Sequence, residues 1–512
     1  MFKRILIANR GEIAVRIIRA CRELDIEPVA VYSEADRDAL HVKYADYAYL
    51  IGPPPAAQSY LATDRILEVA KKSGAEAIHP GYGFLAENGN FARRCLQEGL
   101  VFIGPSPDII HQMGNKERAR AIMRAAGVPV IPGSGEVLNS EEEVLQAAET
   151  IGYPFMLKAV AGGGGKGLRL VRSAREVRSA YRGVRSEASS SFGDPRLYLE
   201  KYLERCRHVE VQILADQYGK VVHLHDRECS IQRRHQKIIE ECPAPALDDR
   251  MRRSIGRVAV HGARAIRYVG LGTLEFLLDR DRNFYFLEMN TRLQVEHAVT
   301  ERAIGIDLVK AQIEVAGGRR LPWRQRHIRL TGHAIECRIY AEDPETDFMP
   351  CPGKIEGLRL PEGLGVRNDC GVYEGSEIPI YYDPMIAKLI VWGENRVEAI
   401  LRMRRALREY QIRGIKTNIP FHQWILRHPR FTAGDFDTAF VENERRFMGK
   451  EELFPHRHVA LASAAIVALY REQERALRLL EQGTKEKSEW RATAKRESLR
   501  LVSGLPAQKR KW

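Results

Sequence analysis

One stretch of the chain gathers acids, an amide and a base at regular spacing. From Leu271 to His297 it reads LGTLEFLLDRDRNFYFLEMNTRLQVEH. Gly272–Leu278 and Phe284–Met289 predict two strands joined by a turn at Asp281-Arg282. A turn centred there sets Glu275 opposite Glu288. Asn290, two residues past Glu288, then shares the same side of the sheet. Opposed carboxylates repel one another, a cost that a divalent cation would remove. Two carboxylates and an amide oxygen, with no Cys or His between them, suit a hard, oxygen-seeking ion such as Mg²⁺ or Mn²⁺. The alternative is an edge hairpin with solvated acids, against which Phe276, Leu277, Phe284 and Phe286 favour a largely buried one. Arg292, Gln294, Glu296 and His297 follow at once. An Arg-x-Gln-x-Glu run beside a cation-binding strand suits a small anion next to a metal-bound phosphate.

A second group lies upstream. Lys158 falls in the apolar stretch Tyr153–Ala159, a predicted strand, and a lysine there needs an anionic partner. The run Gly162-Gly163-Gly164-Gly165-Lys166-Gly167 then leads into a strand at Leu168–Arg172. A phosphate loop of the Walker type would place Ser or Thr after the lysine and open a helix. Here the glycines join two strands. Consecutive glycines let backbone N–H groups approach phosphates and also permit a mobile lid; the other reading is a flexible hairpin without a ligand. Ser106–Ala126 predicts one basic helix holding Asn115-Lys116. Leu197–Leu203, an apolar run with one Glu, can hold an adenine edge through its backbone. Arg207–Ala215 alternates as a strand. Asp226–Glu240 is dense in charge but interrupted by Cys229, Ile231, Ile238 and Ile239, which predicts a half-buried segment. In the strand Gly332–Ala341, alternation places Glu336 and Arg338 on one face and Cys337 and Ile339 on the other.

The elements that must position these groups follow from periodicity. Up to about residue 110, short apolar strands (Ile5–Ala8, Pro28–Tyr32, Tyr49–Ile51, Glu76–His79, Val101–Ile103) alternate with amphipathic helices (Gly11–Leu24, Thr63–Lys72, Asn88–Glu98). That pattern predicts a doubly wound parallel sheet. Its first strand-to-helix turn, Ala8-Asn9-Arg10-Gly11-Glu12, lacks the dinucleotide fingerprint. His79-Pro80-Gly81-Tyr82-Gly83-Phe84 lies at a strand end, where ligands approach such sheets, or is simply a Gly/Pro turn. Beyond Thr331 strands and turns dominate: Pro350–Pro361, Val366–Tyr373 and Ala387–Trp392, then an Arg-rich helix at Arg396–Gln411. Val459–Leu480 has helical spacing, and after Gly483 a basic, aperiodic end predicts disorder.

The chain has 512 residues, 44% hydrophobic and 29% charged, enough for three or four domains of an ordinary globular enzyme. No apolar run reaches membrane-spanning length, and the first residues lead into a strand instead of a signal peptide, so a cytoplasmic protein without membrane contact is expected. Eight scattered cysteines without CxxC spacing predict reduced thiols. The net charge of +13 raises nucleic acid as a partner. Much of it sits in the last residues and along helices, and a basic cleft for phosphates or carboxylates explains the rest, so no nucleic acid is expected.

A glycine lid between strands, Lys116 and Lys158, and a metal-binding acid hairpin, in that order, resemble the ATP-grasp superfamily. Finer motifs resemble biotin carboxylase over roughly residues 1–445. These are Ile7–Glu12, His79–Leu85, Lys158 with the glycine loop, Glu200-Lys201-Tyr202-Leu203, Gln232–Lys237, Glu288–Glu296, and Arg338 within ECRIYAEDP. The resemblance implies an α/β protein: an N-terminal doubly wound parallel-sheet domain (1–113), an ATP-grasp domain (114–328) with a mobile lid at about 131–203, a C-terminal mixed α+β domain (329–445) and a tail (446–512). It implies that Lys116, Lys158, His208, Gln232 and His235 hold ATP, with the 162–167 loop over the phosphates and Glu200–Leu203 at the adenine. Glu275, Glu288 and Asn290 would bind Mg²⁺ or Mn²⁺, two ions in all. Arg292, Gln294 and the Val295 backbone would seat bicarbonate, with Tyr82 on the bicarbonate and biotin side. Glu296 would take the bicarbonate proton, Lys237 would stabilise the transferring phosphoryl group, and Arg338 would stabilise the biotin enolate.

The chain departs from the family at Ala298, where Pro is usual, and at Cys242 and Cys351. Arg19, Glu23 and Arg367 match a family homodimer contact, whereas Leu364 stands where an aromatic is familiar. No biotin-attachment segment or second catalytic domain is recognised, so biotin is expected on a separate biotin carboxyl carrier protein, with separate carboxyltransferase subunits. Two rival readings are another ATP-grasp ligase, of the carbamoyl-phosphate-synthetase kind, and a non-catalytic scaffold. Arg338 and the Arg-x-Gln-x-Glu run speak against the first, and an intact set of catalytic groups against the second. The acceptor (acetyl-CoA, another acyl-CoA or pyruvate) is left open.

Overall fold

The computed structural model describes residues 1–446, except 136 and 161–166, together with 462–463 and 465–473. The chain divides into the units Met1–Met448 and Gly449–Trp512. In the second, residues 465–473 are helical, as their spacing predicts; the predicted disorder after Gly483 lies outside the described residues. Among the described residues no helix is long and apolar enough to cross a membrane, and the eight cysteines are free thiols, seven of them buried.

The N-terminal strands form one parallel sheet in the order Tyr47–Gly52, Glu27–Ser33, Arg4–Ile7, Ala77–His79, Val101–Phe102. The strand order reverses between Arg4–Ile7 and Ala77–His79, and the crevice outside such a switch point is where ligands enter open α/β sheets. Two turns meet there. Asn9 Nδ2 donates to the carbonyls of Pro80 and Tyr82, both at 2.7 Å. Gly81 makes this possible: its φ is +63°, and a Cβ there would lie 2.9 Å from Asn9 Nδ2. The His79–Phe84 segment is thus both a Gly/Pro turn and one wall of a cleft.

An eight-stranded antiparallel sheet forms the centre. Its order is Phe284–Asn290, Gly270–Leu278, Arg207–Ala215, Val221–Arg233, Gln236–Cys242, His333–Tyr340, Met385–Gly393, Val366–Cys370. Pairing of Gln236–Cys242 with His333–Tyr340 carries the sheet across residue 329 without interruption. One face is apolar: Val209, Val211, Leu274, Phe276 and Phe286 pack against Ile255, Ala259 and Ala263 of the helix Asp249–Ala265. The other face carries charge.

Phe155–Ala159, Leu168–Val171 and Leu197–Lys201 form a separate three-stranded sheet, with Phe155–Ala159 in the middle. Val144 and Ala148 of Glu141–Ile151 and Val177 and Val184 of Ala174–Phe192 cover it. The glycine run therefore does join two antiparallel strands. Gly167 accepts from the Ala159 N–H at 2.7 Å, while residues 162–166 lie outside the described residues. The single basic helix expected over Ser106–Ala126 is instead two, Pro107–Gly114 and Lys116–Ala125. Asn115 breaks it, because its side chain caps the second helix by accepting from the Arg118 N–H.

Candidate active site

The acid hairpin forms as predicted at its centre. Glu275 pairs with Glu288 and Thr273 with Asn290, and a bulge between Glu275 and Phe276 shifts the register beyond them. The two expectations for the hairpin are each half right. Gly270–Leu278 is buried inside the sheet, but Phe284–Asn290 is its edge strand, and Glu288 remains one-third exposed.

In-register pairing extends the acid row across the sheet: Glu288, Glu275, Glu210, then Arg227 on the next strand. Lys237 reaches over this row. Its Nζ donates to Glu210 at 2.6 Å, Glu275 at 2.8 Å and Glu296 at 2.6 Å. Glu275 also accepts from Asn290 at 2.8 Å and Gln294 at 2.9 Å, and its other oxygen lies 2.9 Å from His208 Nε2. Arg338 donates to Glu240 at 2.6 Å and to Glu296 at 2.9 Å. Fully buried Arg227 bonds Glu210, Gln212 and Thr300.

Four buried acids thus share three cations, and the negative charge is distributed unevenly. Burial disfavours ionisation of all four. For Glu275, Lys237 and His208 outweigh it and hold the carboxyl well below its usual range. For Glu296, Lys237, Arg338 and Arg227 do the same. At Glu210 and Glu240 burial wins, and Glu240 is pushed up to about 7 despite Arg338. The charge is concentrated on Glu275 and Glu296.

Arg292 stands at the mouth. It donates to Glu87 at 2.9 Å, Gln294 at 2.8 Å and Asn290 at 2.7 Å. A cavity of about 540 Å³ opens here, lined among others by Arg292, Val295, Arg338, Tyr82, Asn9 and Glu12. The Arg-x-Gln-x-Glu run and Arg338 therefore meet in one place, beside the switch-point turns of the N-terminal sheet.

The predicted nucleotide residues are brought together in part. Lys158 finds its anionic partner in Glu200, which also pairs with Arg120. Here Glu200 is occupied by two bases on the lysine side, whereas Lys201 donates to the Tyr153 carbonyl at 3.1 Å and Tyr202 N–H to that of Pro154 at 3.1 Å; Leu203 follows, half-buried. Lys116 lies 3.0 Å from Glu288. Gln232 Nε2 is 2.7 Å from His208 Nδ1. His235 is exposed at the turn between Val221–Arg233 and Gln236–Cys242. Arg19, Glu23, Arg367 and Asp369 line one surface groove, and Leu364, outside that lining, is largely exposed.

The donor set fits a hard divalent ion. Glu275 and Glu288 face each other in register, and the Asn290 amide shares their side and touches Glu275. Lys237, Lys116 and Arg292 satisfy these acceptors in the protein alone, which shows the demand for positive charge there.

Glu210, Arg227, Glu240 and Arg120 were not singled out from sequence. Signals existed for two of them: Glu210 shares the alternation His208-x-Glu210-x-Gln212, and Arg120 lies one helical turn beyond Lys116.

Comparison with known proteins agrees with this geometry. The description "Biotin carboxylase, N-terminal domain" matches residues 1–110. "Carbamoyl-phosphate synthase L chain, ATP binding domain" matches 115–324, and "Biotin carboxylase C-terminal domain" matches 336–443. A biotin carboxylase of Halalkalibacterium halodurans is 58% identical over 443 residues, 86% of this chain and 98% of that protein. A pyruvate carboxylase subunit from Methanothermobacter thermautotrophicus is 56% identical over 451 residues, 88% of this chain and 92% of its own length. Among solved structures, the dimeric biotin carboxylase domain of Hydrogenobacter thermophilus 2-oxoglutarate carboxylase, bound to MgADP, ADP and bicarbonate, superposes with a TM-score of 0.81. It is 48% identical, and the match covers 88% of this chain and 99% of that one. Fold and site thus define an ATP-dependent ligase of the ATP-grasp class. Within that class, the chain belongs to the biotin carboxylase family.

Proposed function

We propose that the protein carboxylates biotin, carried on a separate protein, using ATP and bicarbonate. The observation that carries this reading is that Arg292, Val295 and Arg338 line one cavity, with Gln294 bonded to Arg292 and Glu296 to Arg338 just behind it, beside an acid pair suited to a metal. A carbamoyl-phosphate-type ligase would need the bicarbonate groups but has no use for Arg338 at the same cavity.

Arg292 and Gln294, with the Val295 backbone, hold bicarbonate, and Glu296 removes its proton. A bicarbonate oxygen then attacks the γ-phosphorus of ATP, giving carboxyphosphate and ADP. Lys237 moves from its three carboxylates to the transferring phosphoryl group, where a fixed charge acts most strongly. Its departure also removes the principal charge that depresses Glu296, so the base gains proton affinity as the phosphates arrive. Carboxyphosphate breaks into CO₂ and phosphate; phosphate takes the N1 proton of biotin, Arg338 steadies the enolate oxygen, with Tyr82 lining the same cavity, and N1 attacks CO₂. Glu275, Glu288 and Asn290 would hold Mg²⁺ or Mn²⁺, two ions in all, which would neutralise phosphate charge. Lys116, Lys158, His208, Gln232 and His235 serve the nucleotide, Glu200–Leu203 its adenine, and the glycines of 162–167 its phosphates.

Lys158 gives this assignment a pH signature. Burial first, then Arg120 and Lys116, lower its ammonium to about 8. Below that pH it is charged and attracts phosphates; above it the charge is lost. KM for ATP is expected to rise about tenfold per pH unit above about 8, and Lys158→Arg should remove that limb. A flat KM between pH 7 and 9.5 in the unmodified protein would contradict a phosphate contact.

We keep the limits 1–113, 114–328, 329–445 and 446–512 as functional segments, biotin-side wall, nucleotide and metal site, Arg338 strand and tail, the second and third sharing the central sheet. We assign the protein to the cytoplasm, as a homodimer through the Arg19, Glu23 and Arg367 groove, working with a biotin carboxyl carrier protein and carboxyltransferase subunits. The length-matched relative that is one part of a pyruvate carboxylase supports that assembly. The test is carboxybiotin formation from free biotin, expected only when ATP, Mg²⁺ and bicarbonate are all present; ATP cleavage indifferent to bicarbonate would sink the reading.

A further inference from the structure

One lysine on the charged face has no part in this scheme. Lys388 lies in the strand Met385–Gly393, and its side chain is fully buried. It pairs in register with Arg338. Its Nζ donates to the carbonyl of Val295 at 2.8 Å and lies 3.5 Å from a Glu12 carboxylate oxygen. Glu12 comes from the first turn of the helix Gly11–Glu23, beside the switch point of the N-terminal sheet, and lines the same cavity as Val295. Burial pushes the Glu12 carboxyl up to about 7, against the pull of Lys388. The neighbouring carbonyl, that of Gln294, is held from behind as well, by His297 Nδ1 at 2.8 Å.

Carbonyl and following N–H point to opposite sides of a planar peptide. A donor fixed on the Val295 carbonyl therefore fixes the peptide plane that leads into Glu296. It also fixes the direction of the Glu296 N–H, away from Lys388. A charged donor does this more firmly than a neutral one, and a buried ammonium needs an acid to keep it charged.

We infer that Lys388 is a positioning residue for the bicarbonate subsite: its ammonium, held by Glu12, anchors the Val295 carbonyl and so aligns Val295 and Glu296 with the anion. The inference rests on the bicarbonate reading above. It also makes the alignment of that subsite depend on the N-terminal segment, through Glu12.

The test uses Lys388→Met, Glu12→Gln and the double variant in the full chain. KM for bicarbonate and for ATP are measured in bicarbonate-dependent ADP formation, with thermal midpoints alongside. Lys388→Met should raise the bicarbonate KM by about tenfold or more while the ATP KM stays within about twofold. Glu12→Gln should shift the bicarbonate KM in the same direction by a smaller factor. The double variant should regain part of the thermal stability, since Glu12 is no longer left without its partner while buried Glu336, which also faces Lys388, still is, yet keep the raised bicarbonate KM. Equal rises in both KM values, or none, would overturn the inference. So would a double variant with the original bicarbonate KM, which would reduce Lys388 to a counter-charge for Glu12. Should Lys388→Met not fold, an unchanged bicarbonate KM in Glu12→Gln and in the double variant overturns it. An unmodified protein without bicarbonate dependence would instead show the functional reading itself to be wrong, before any variant is compared.

Discussion

Replacing Glu296 by Ala is expected to lower bicarbonate-dependent ATP cleavage and carboxybiotin formation together, each by about a hundredfold or more. Glu296 is 1% exposed and is the carboxylate on which Lys237 and Arg338 converge. Among the described residues no other acid accepts a hydrogen bond from both. Arg338→Ala has a different expected profile. Read from sequence, Arg338 stands on a different strand with no metal ligand beside it, and its loss should cost carboxylation far more than the bicarbonate-dependent first step. The structure adds a link: Arg338 Nη2 donates to Glu296 at 2.9 Å and, after Lys237, is the charge that holds that carboxyl low against burial. Carboxybiotin formation should fall by about a hundredfold or more, and bicarbonate-dependent phosphate release by about tenfold. The check is to follow both products in parallel for each variant. Equal losses in the Arg338 variant would mean that it acts wholly through Glu296.

Glu288→Gln should nearly abolish ATP turnover, by about a hundredfold or more, while the protein unfolds at its usual temperature. Glu288 lies on the edge strand, one-third exposed, and its only ion pair among the described residues is with Lys116. Little folding energy depends on it, and Gln keeps its shape. Glu275→Gln should lose turnover as well but also cost about 1–3 kcal/mol of stability, because Glu275 is buried beneath Lys237, His208, Asn290 and Gln294. Turnover and unfolding midpoints measured across an Mg²⁺ titration separate the two. A normal rate for Glu288→Gln at limiting Mg²⁺ would remove the acid pair from the metal site.

The contrast between these two acids shows what sequence can and cannot tell. Opposition of Glu275 and Glu288 was legible, because a two-residue period and a turn fix which residues face each other. Which strand lies at the edge was not, since that depends on Arg207–Ala215 pairing with Gly270–Leu278 instead of with Phe284–Asn290. The partner of Lys158 was foreseeable as an acid, from the cost of a lone buried ammonium. The same argument applied to Lys388 within MIAKLIVWG would have flagged it too. That its partners are Val295 and Glu12, about ninety and nearly four hundred residues away, is a fact of sheet register and domain packing. Glu240 and Arg227 were hidden for the same reason: each sits in a charge-dense run, and only the continuous sheet shows that they face inward. The break at Asn115 was missed because helical spacing continued through it, although Asn is a strong capping residue.

In the proposed reaction a bicarbonate oxygen attacks phosphorus, and the carboxyphosphate then breaks at its C–O bond. The bridging oxygen must stay with phosphate. Turnover of ATP with ¹⁸O-labelled bicarbonate and free biotin, read by mass spectrometry of the released phosphate, follows that oxygen directly. One bicarbonate oxygen in each phosphate, with carboxybiotin formed only in that reaction, is the predicted result. Phosphate carrying no bicarbonate oxygen would contradict it.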